Sequence, residues 1–136
     1  MIDNLKIFEV LLIMGGYFVL LGTSGKLVNY ILSKISKEPL NKKISKEVLD
    51  TGFVVGKCEN LLILTFMLLS AYTALALIFA AKTIVRGEDM RNNSLFFLSG
   101  TMINVTYSVI IGLIVKAFIE NIETLTINIG TVLQLL

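Results

Sequence analysis

Few side chains in this sequence can do chemistry, and most of them border apolar stretches. The ionisable residues nearest those stretches are Glu9, Lys26, Lys57, Glu59, Lys82, Arg86, Lys116 and Glu120. Histidine is absent and Cys58 is the sole cysteine, so an internal disulfide, a zinc site and a histidine general base are excluded. No carboxylate pair, nucleophile–base set or metal-ligand cluster has the spacing catalysis needs. The expectation is therefore a protein that is not an enzyme, with no catalytic residues, no metal and no cofactor. Gly22-Thr23-Ser24-Gly25-Lys26 resembles a phosphate loop only superficially, since the four-residue spacer between glycines and the strand-to-helix setting are missing. The Asn-x-Ser/Thr matches at Asn92 and Asn104 are equally uninformative, the second falling within an apolar segment.

The elements that hold these residues follow from hydropathy. Hydrophobic residues make up 55% of the 136, charged residues 16%, and mean hydropathy is +0.83. A soluble domain usually carries about 25% charged residues. From Leu61 to Ala81 there are 21 residues without a charge or a proline. As one helix that run would be about 30 Å long, the thickness of a bilayer's hydrocarbon core. The sequence thus predicts an all-α integral membrane protein, a single domain over 1–136, with spans near 5–32, 60–81 and 94–115. Helices are required because lipid cannot satisfy an open backbone amide. The N-terminus carries Asp3, Lys6 and Glu9 and no small-x-small cleavage pattern, so it reads as a retained first span.

A basic linker over 34–50 separates the first two spans. It reads either as a solvated connector or as a short interfacial helix after Pro39, with Leu40, Ile44 and Val48 on its apolar face. The apolar tail over 121–136 is too short to cross alone and is expected to lie at the interface or to extend span three. Lys34, Lys37, Lys42, Lys43, Lys46, Lys57 and Lys116 outnumber Lys6, Lys82, Arg86 and Arg91 across the two sides. That balance predicts a multi-pass protein of the cell membrane with a cytoplasmic first loop, an outside N-terminus and an inside C-terminus.

Small residues recur at helical spacing on two spans. Thr73, Ala76, Ala80 and Thr83 form one row, and Thr101, Asn104, Ser108 and Gly112 another. Helix association in lipid relies on close backbone approach and interhelical hydrogen bonds, so an antiparallel hairpin with both rows facing inward is expected. Asn104 serves there either as structural glue or as part of a polar pathway. Among the flanking charges, Lys26 is expected to approach Glu59. Glu59 and Lys82, about 35 Å apart on one continuous helix, are not expected to pair.

Three motifs carry a resemblance. Gly56-Lys57-Cys58-Glu59-Asn60-Leu61, Ala80-Ala81-Lys82-Thr83-Ile84-Val85-Arg86 and Phe97-Leu98-Ser99-Gly100-Thr101 resemble the G-x-x-I-G-x-L-E-R, A-A-K-S-I-A-R and Y-F-L-I-G-T elements of an uncharacterised prokaryotic integral-membrane family. The resemblance covers roughly residues 16–116 and marks Glu59, Lys82, Arg86, Gly100 and Thr101. The chain has Asn60 where that family has arginine. The resemblance implies a membrane location and names no reaction.

The functional expectation is a small polytopic protein that self-assembles or joins a partner membrane subunit, as a channel or transport-type subunit. The alternative is a non-catalytic accessory or scaffold whose basic first loop binds a partner or anionic lipid. The lipid bilayer is the expected partner in either case, and nucleic acid is not.

Overall fold

The computed structural model describes residues 2–36, 46–85, 87–92 and 94–135, and every element among them is helical. Helix α1 covers Ile2–Ile35, α2 Lys46–Leu68, α3 Tyr72–Val85, the six-residue α4 Gly87–Asn92, and α5 Ser94–Leu135. Three segments are long and apolar enough to cross a membrane: Asn4–Ile35, Leu49–Leu68 and Phe96–Thr131. Three such segments were expected, but the middle one is not where the 21-residue run placed it.

That run bends back on itself. Helix α2 ends at Leu68, and Ser70 adopts a left-handed φ of 56°. The Ser70 amide donates to Met67 O at 3.2 Å and the Ala71 amide to Phe66 O at 2.8 Å. This pair of bonds is a Schellman closure, which satisfies carbonyls that the helix end would otherwise leave open. Glycine normally fills the left-handed position of such a closure, and no glycine or proline marks it here. The span over 60–81 is therefore corrected to a helical hairpin: the stretch of α2 long and apolar enough to cross is 49–68, and the 14-residue α3, about 21 Å long, returns only part of the way.

The return alters the whole topology. Tyr17 meets Thr65, and Ser24 meets Asn60, so α1 and α2 are antiparallel. Asn104 meets Gly56, and Ser108 meets Asn60, so α2 and α5 are parallel. The expected antiparallel pairing of the second and third spans is thus overturned, because α3 carries the chain back before α5 begins. The start of α2 and the start of α5 share one end of the bundle, which brings Lys34, Lys46 and Arg91 to that end. The start of α1 and the end of α5 share the other, so the expected placement of the C-terminus beside the first loop is corrected as well.

Both outer spans are longer than expected. Helix α1 has 34 residues and α5 has 42, about 51 and 63 Å. Residues 121–135 continue α5 without a break, which decides the role of the apolar tail. The β-branched residues there do not stop a helix whose backbone must be bonded internally in an apolar setting. Lys46–Asp50 belong to α2 rather than to a linker, and an interfacial helix over 40–45 falls outside the described residues. The core is Leu20 and Leu32 of α1, Ile63, Leu64 and Met67 of α2, and Phe97 and Val115 of α5. Close approach depends on two glycines. A β-carbon at Gly112 would stand 2.9 Å from Met67 Cβ, and one at Gly16 would stand 2.7 Å from Val115 Cγ2.

Candidate functional site

A polar seam crosses the three long helices. Ser24 and Asn60 are 1% and 0% exposed, and Ser108 is 0% exposed. Asn60 Nδ2 donates to Ser24 Oγ at 2.7 Å, while its Oδ1 accepts from Ser108 Oγ at 2.8 Å. The Ser108 hydroxyl is also 2.8 Å from Asn104 O, so its one proton is shared between two acceptors. Asn104 Nδ2 donates to Gly56 O at 3.3 Å. Lys57 Nζ donates to Ser24 Oγ at 3.0 Å and to Leu21 O. No buried side-chain polar atom among the described residues is left without a partner. An amide in this setting is expensive unless paired, and here each one is.

Two further bonds tie α1 to its neighbours. Thr65 and Thr23 give their own protons to Leu61 O and Val19 O. Tyr17 OH therefore donates to Thr65 Oγ1 at 2.7 Å, and Tyr107 OH to Thr23 Oγ1 at 2.6 Å.

Helix α3 is held mainly at its two ends. Lys82 Nζ lies 2.5 Å from Glu59 Oε2, with the two side chains 13% and 10% exposed. The expectation that these residues cannot pair is overturned by the hairpin, which folds 23 positions of chain into one contact. Glu59 thus takes Lys82 as its partner, and the expected Lys26–Glu59 pair is replaced. At the hairpin tip, Lys116 Nζ donates to Ser70 Oγ at 2.6 Å and to Tyr72 OH at 2.8 Å. Between the two clasps the packing is thin, with a void of about 50 Å³ lined by Ile63, Leu75, Ile78 and Val109 among others. No residue of α3 is buried.

Above the polar seam, toward the end where α2 and α5 begin, lies a cavity of about 350 Å³. Lys57, Glu59, Lys82, Thr101 and Asn104 line its deeper part, with Phe53 and Phe97 on the walls. Asp50 also lines it, one to two helical turns from Phe53 and Lys57 and exposed. The Lys57 ammonium sits 5.1 Å from the centre of the Phe53 ring, a cation–π contact. The buried Ser24–Asn60–Ser108 layer forms the floor of this vestibule.

The residues singled out from sequence divide cleanly. Thr101, Asn104, Ser108 and Gly112 are buried on the inner face of α5, and Thr101 and Asn104 line the cavity while Ser108 lies in the seal beneath it. Thr73, Ala76, Ala80 and Thr83 are exposed, so their row faces outward and the inward-facing arrangement is corrected. Lys57, Glu59 and Lys82 converge on the cavity, Lys26 does not line it, and Arg86 lies outside the described residues. Ser24 and Asn60, the centre of the seam, were not singled out. Their signal was a small hydroxyl and an amide each beside an apolar run, read as a failed phosphate loop and as a span boundary.

No family model, curated protein or solved structure matches the chain. The geometry alone carries the functional reading.

Proposed function

We propose that this is a small integral membrane protein of the transport type, whose vestibule is the solute-binding part. The observation that carries this reading is the convergence of Lys57, Glu59, Lys82 and Asn104 on one cavity set among membrane-length helices. Ionisable groups within such helices are tolerated mainly where they pair or line an aqueous route. The vestibule has a sealed floor, which favours a gated subunit that must rearrange over an always-open channel. The thinly packed α3 hairpin is the element with least to lose in such a rearrangement. Self-assembly or a partner subunit belongs to the same proposal, as does a cytoplasmic location of the end bearing Lys34, Lys46 and Arg91.

Flux in proteoliposomes tests the reading. Wild-type protein is expected to give saturable uptake of small ions or polar solutes, and Asn104→Leu to reduce it several-fold while leaving the detergent elution profile unchanged. Absence of flux in the wild type in both orientations would overturn it.

One observation favours a second reading. The lysines and arginine flanking α1, α2 and α4 gather at one end of the bundle, which suits an accessory protein that holds anionic lipid headgroups there. Neutralising Lys37, Lys42, Lys43 and Lys46 together is then expected to weaken binding to anionic vesicles at low salt.

A further inference from the structure

We infer that the vestibule holds an anionic amphiphile, with a phosphate or carboxylate head at Lys57 and an apolar chain along Val28, Leu32, Phe53 and Phe97. This rests on reading the cavity as a binding vestibule, and it adds the chemistry of what binds.

The charge at the cavity's inner end decides the sign. Glu59 and Lys82 neutralise each other at 2.5 Å. Lys57 has no such partner: among the described residues no carboxylate lies within ion-pair distance of it, and it donates only to Ser24 Oγ and Leu21 O. An ammonium has three protons to donate; beside these two oxygens it also faces the Phe53 ring, so its third proton has no oxygen partner among the described residues and can go to a ligand. Asp50 lines the same cavity but is exposed and about 10 Å along α2 from Lys57, where solvent screens it. The inner end therefore carries one positive charge with no carboxylate against it, on a half-buried side chain, and this favours an anion.

The walls decide the rest. Val28, Leu32, Phe53 and Phe97 give the vestibule an apolar side, while Asn29 and Asn104 add amides to its lining. A small inorganic anion would leave that apolar wall unused. At about 350 Å³ the space is at the lower end of ligand-sized cavities, suited to one head and a single chain segment. A membrane lipid and a soluble amphiphile share this chemistry.

Equilibrium binding to full-length protein in nanodiscs separates the sources. One arm uses nanodiscs of phosphatidylcholine with phosphatidylglycerol and reads the lipid retained by native mass spectrometry. The other uses phosphatidylcholine alone and titrates octyl phosphate, with octanol and inorganic phosphate as the tail-only and head-only probes. Enrichment of phosphatidylglycerol over phosphatidylcholine assigns a lipid, and saturable octyl phosphate binding assigns a soluble amphiphile. In either case Lys57→Gln is expected to weaken binding at least tenfold, Lys57→Arg to retain it, and Lys6→Gln, at the opposite end of the bundle, to leave it unchanged. The proposal is overturned if octanol binds as well as octyl phosphate, if neither anion binds, or if Lys6→Gln loses as much as Lys57→Gln. Binding is read without flux, so a vestibule that binds but does not transport remains distinguishable from one that does not bind.

Discussion

Lys82 Nζ and Glu59 Oε2 meet at 2.5 Å across a hairpin that a continuous helix would have held about 35 Å apart. The pair fastens the returning end of α3 to the middle of α2, and its two side chains are nearly enclosed. A charge left in such a place by removal of its partner is costly, whereas removal of both is much less so.

The first prediction concerns that clasp. Glu59→Gln is expected to destabilise the protein by about 3–5 kcal/mol, the range for breaking an enclosed pair. Glu59→Leu with Lys82→Met is expected to recover most of the loss. Thermal unfolding in a mild detergent measures both, and a double variant no better than the single one would count against a direct pair.

A second prediction tests the topology. In a Cys58→Ser background, single cysteines replacing Lys46 and Arg91 are expected to react with an impermeant maleimide from the same face of sealed vesicles. Cysteines replacing Asn4 and Glu123 are expected to react from the opposite face. All four side chains are polar or charged and none is packed inside the bundle. An unbroken helix over 60–81 would put positions 46 and 91 on opposite faces.

Packing supplies the third. Gly112→Ala is expected to cost about 1–3 kcal/mol, because its new methyl would meet Met67 Cβ at 2.9 Å and the α2–α5 approach would have to open. Gly15→Ala has nothing within 4 Å and is expected to change stability by no more than about 0.5 kcal/mol. Parallel melting curves of the two variants decide the matter; equal losses would mean that α2 and α5 are not in close contact.

The hairpin tip gives the fourth. Lys116→Met removes the donors to Ser70 and Tyr72 and is expected to speed amide hydrogen exchange around 69–72, leaving α1 unaffected. Ser70→Val is expected to have a larger effect, since a β-branched residue is poorly suited to a φ of 56°. Unchanged exchange at the tip in both variants would remove the assigned role of the Schellman closure.

Composition and hydropathy made the class legible: the outer two apolar helices follow from their charge-free runs, whereas the middle one, over 49–68, contains Asp50, Lys57 and Glu59 and was misplaced; the buried face of α5 follows from Thr101, Asn104, Ser108 and Gly112 at helical spacing. The hairpin was hidden because its turn carries none of the usual marks. Leu69-Ser70-Ala71 is as apolar and as compatible with helix as its surroundings, and its left-handed residue is a serine held by a lysine 46 positions away. That one unrecognised turn also hid the Glu59–Lys82 pair and the parallel course of α2 and α5. The outward turn of the Thr73–Thr83 row has the same origin, since α3 is a short return helix and not the inner half of a span. The place of Asn60 at the centre of the seam was hidden because an amide at the edge of an apolar run reads as a boundary, although nearly four turns of α2 precede it.

The hairpin stops at the level of Ser70 and Lys116, while α1 and α5 both continue past it. Four helices fill the cross-section on one side of that level and two on the other. A body of this shape tapers along its length, so whatever surrounds it must fill the width of two helices at the end where the hairpin is missing.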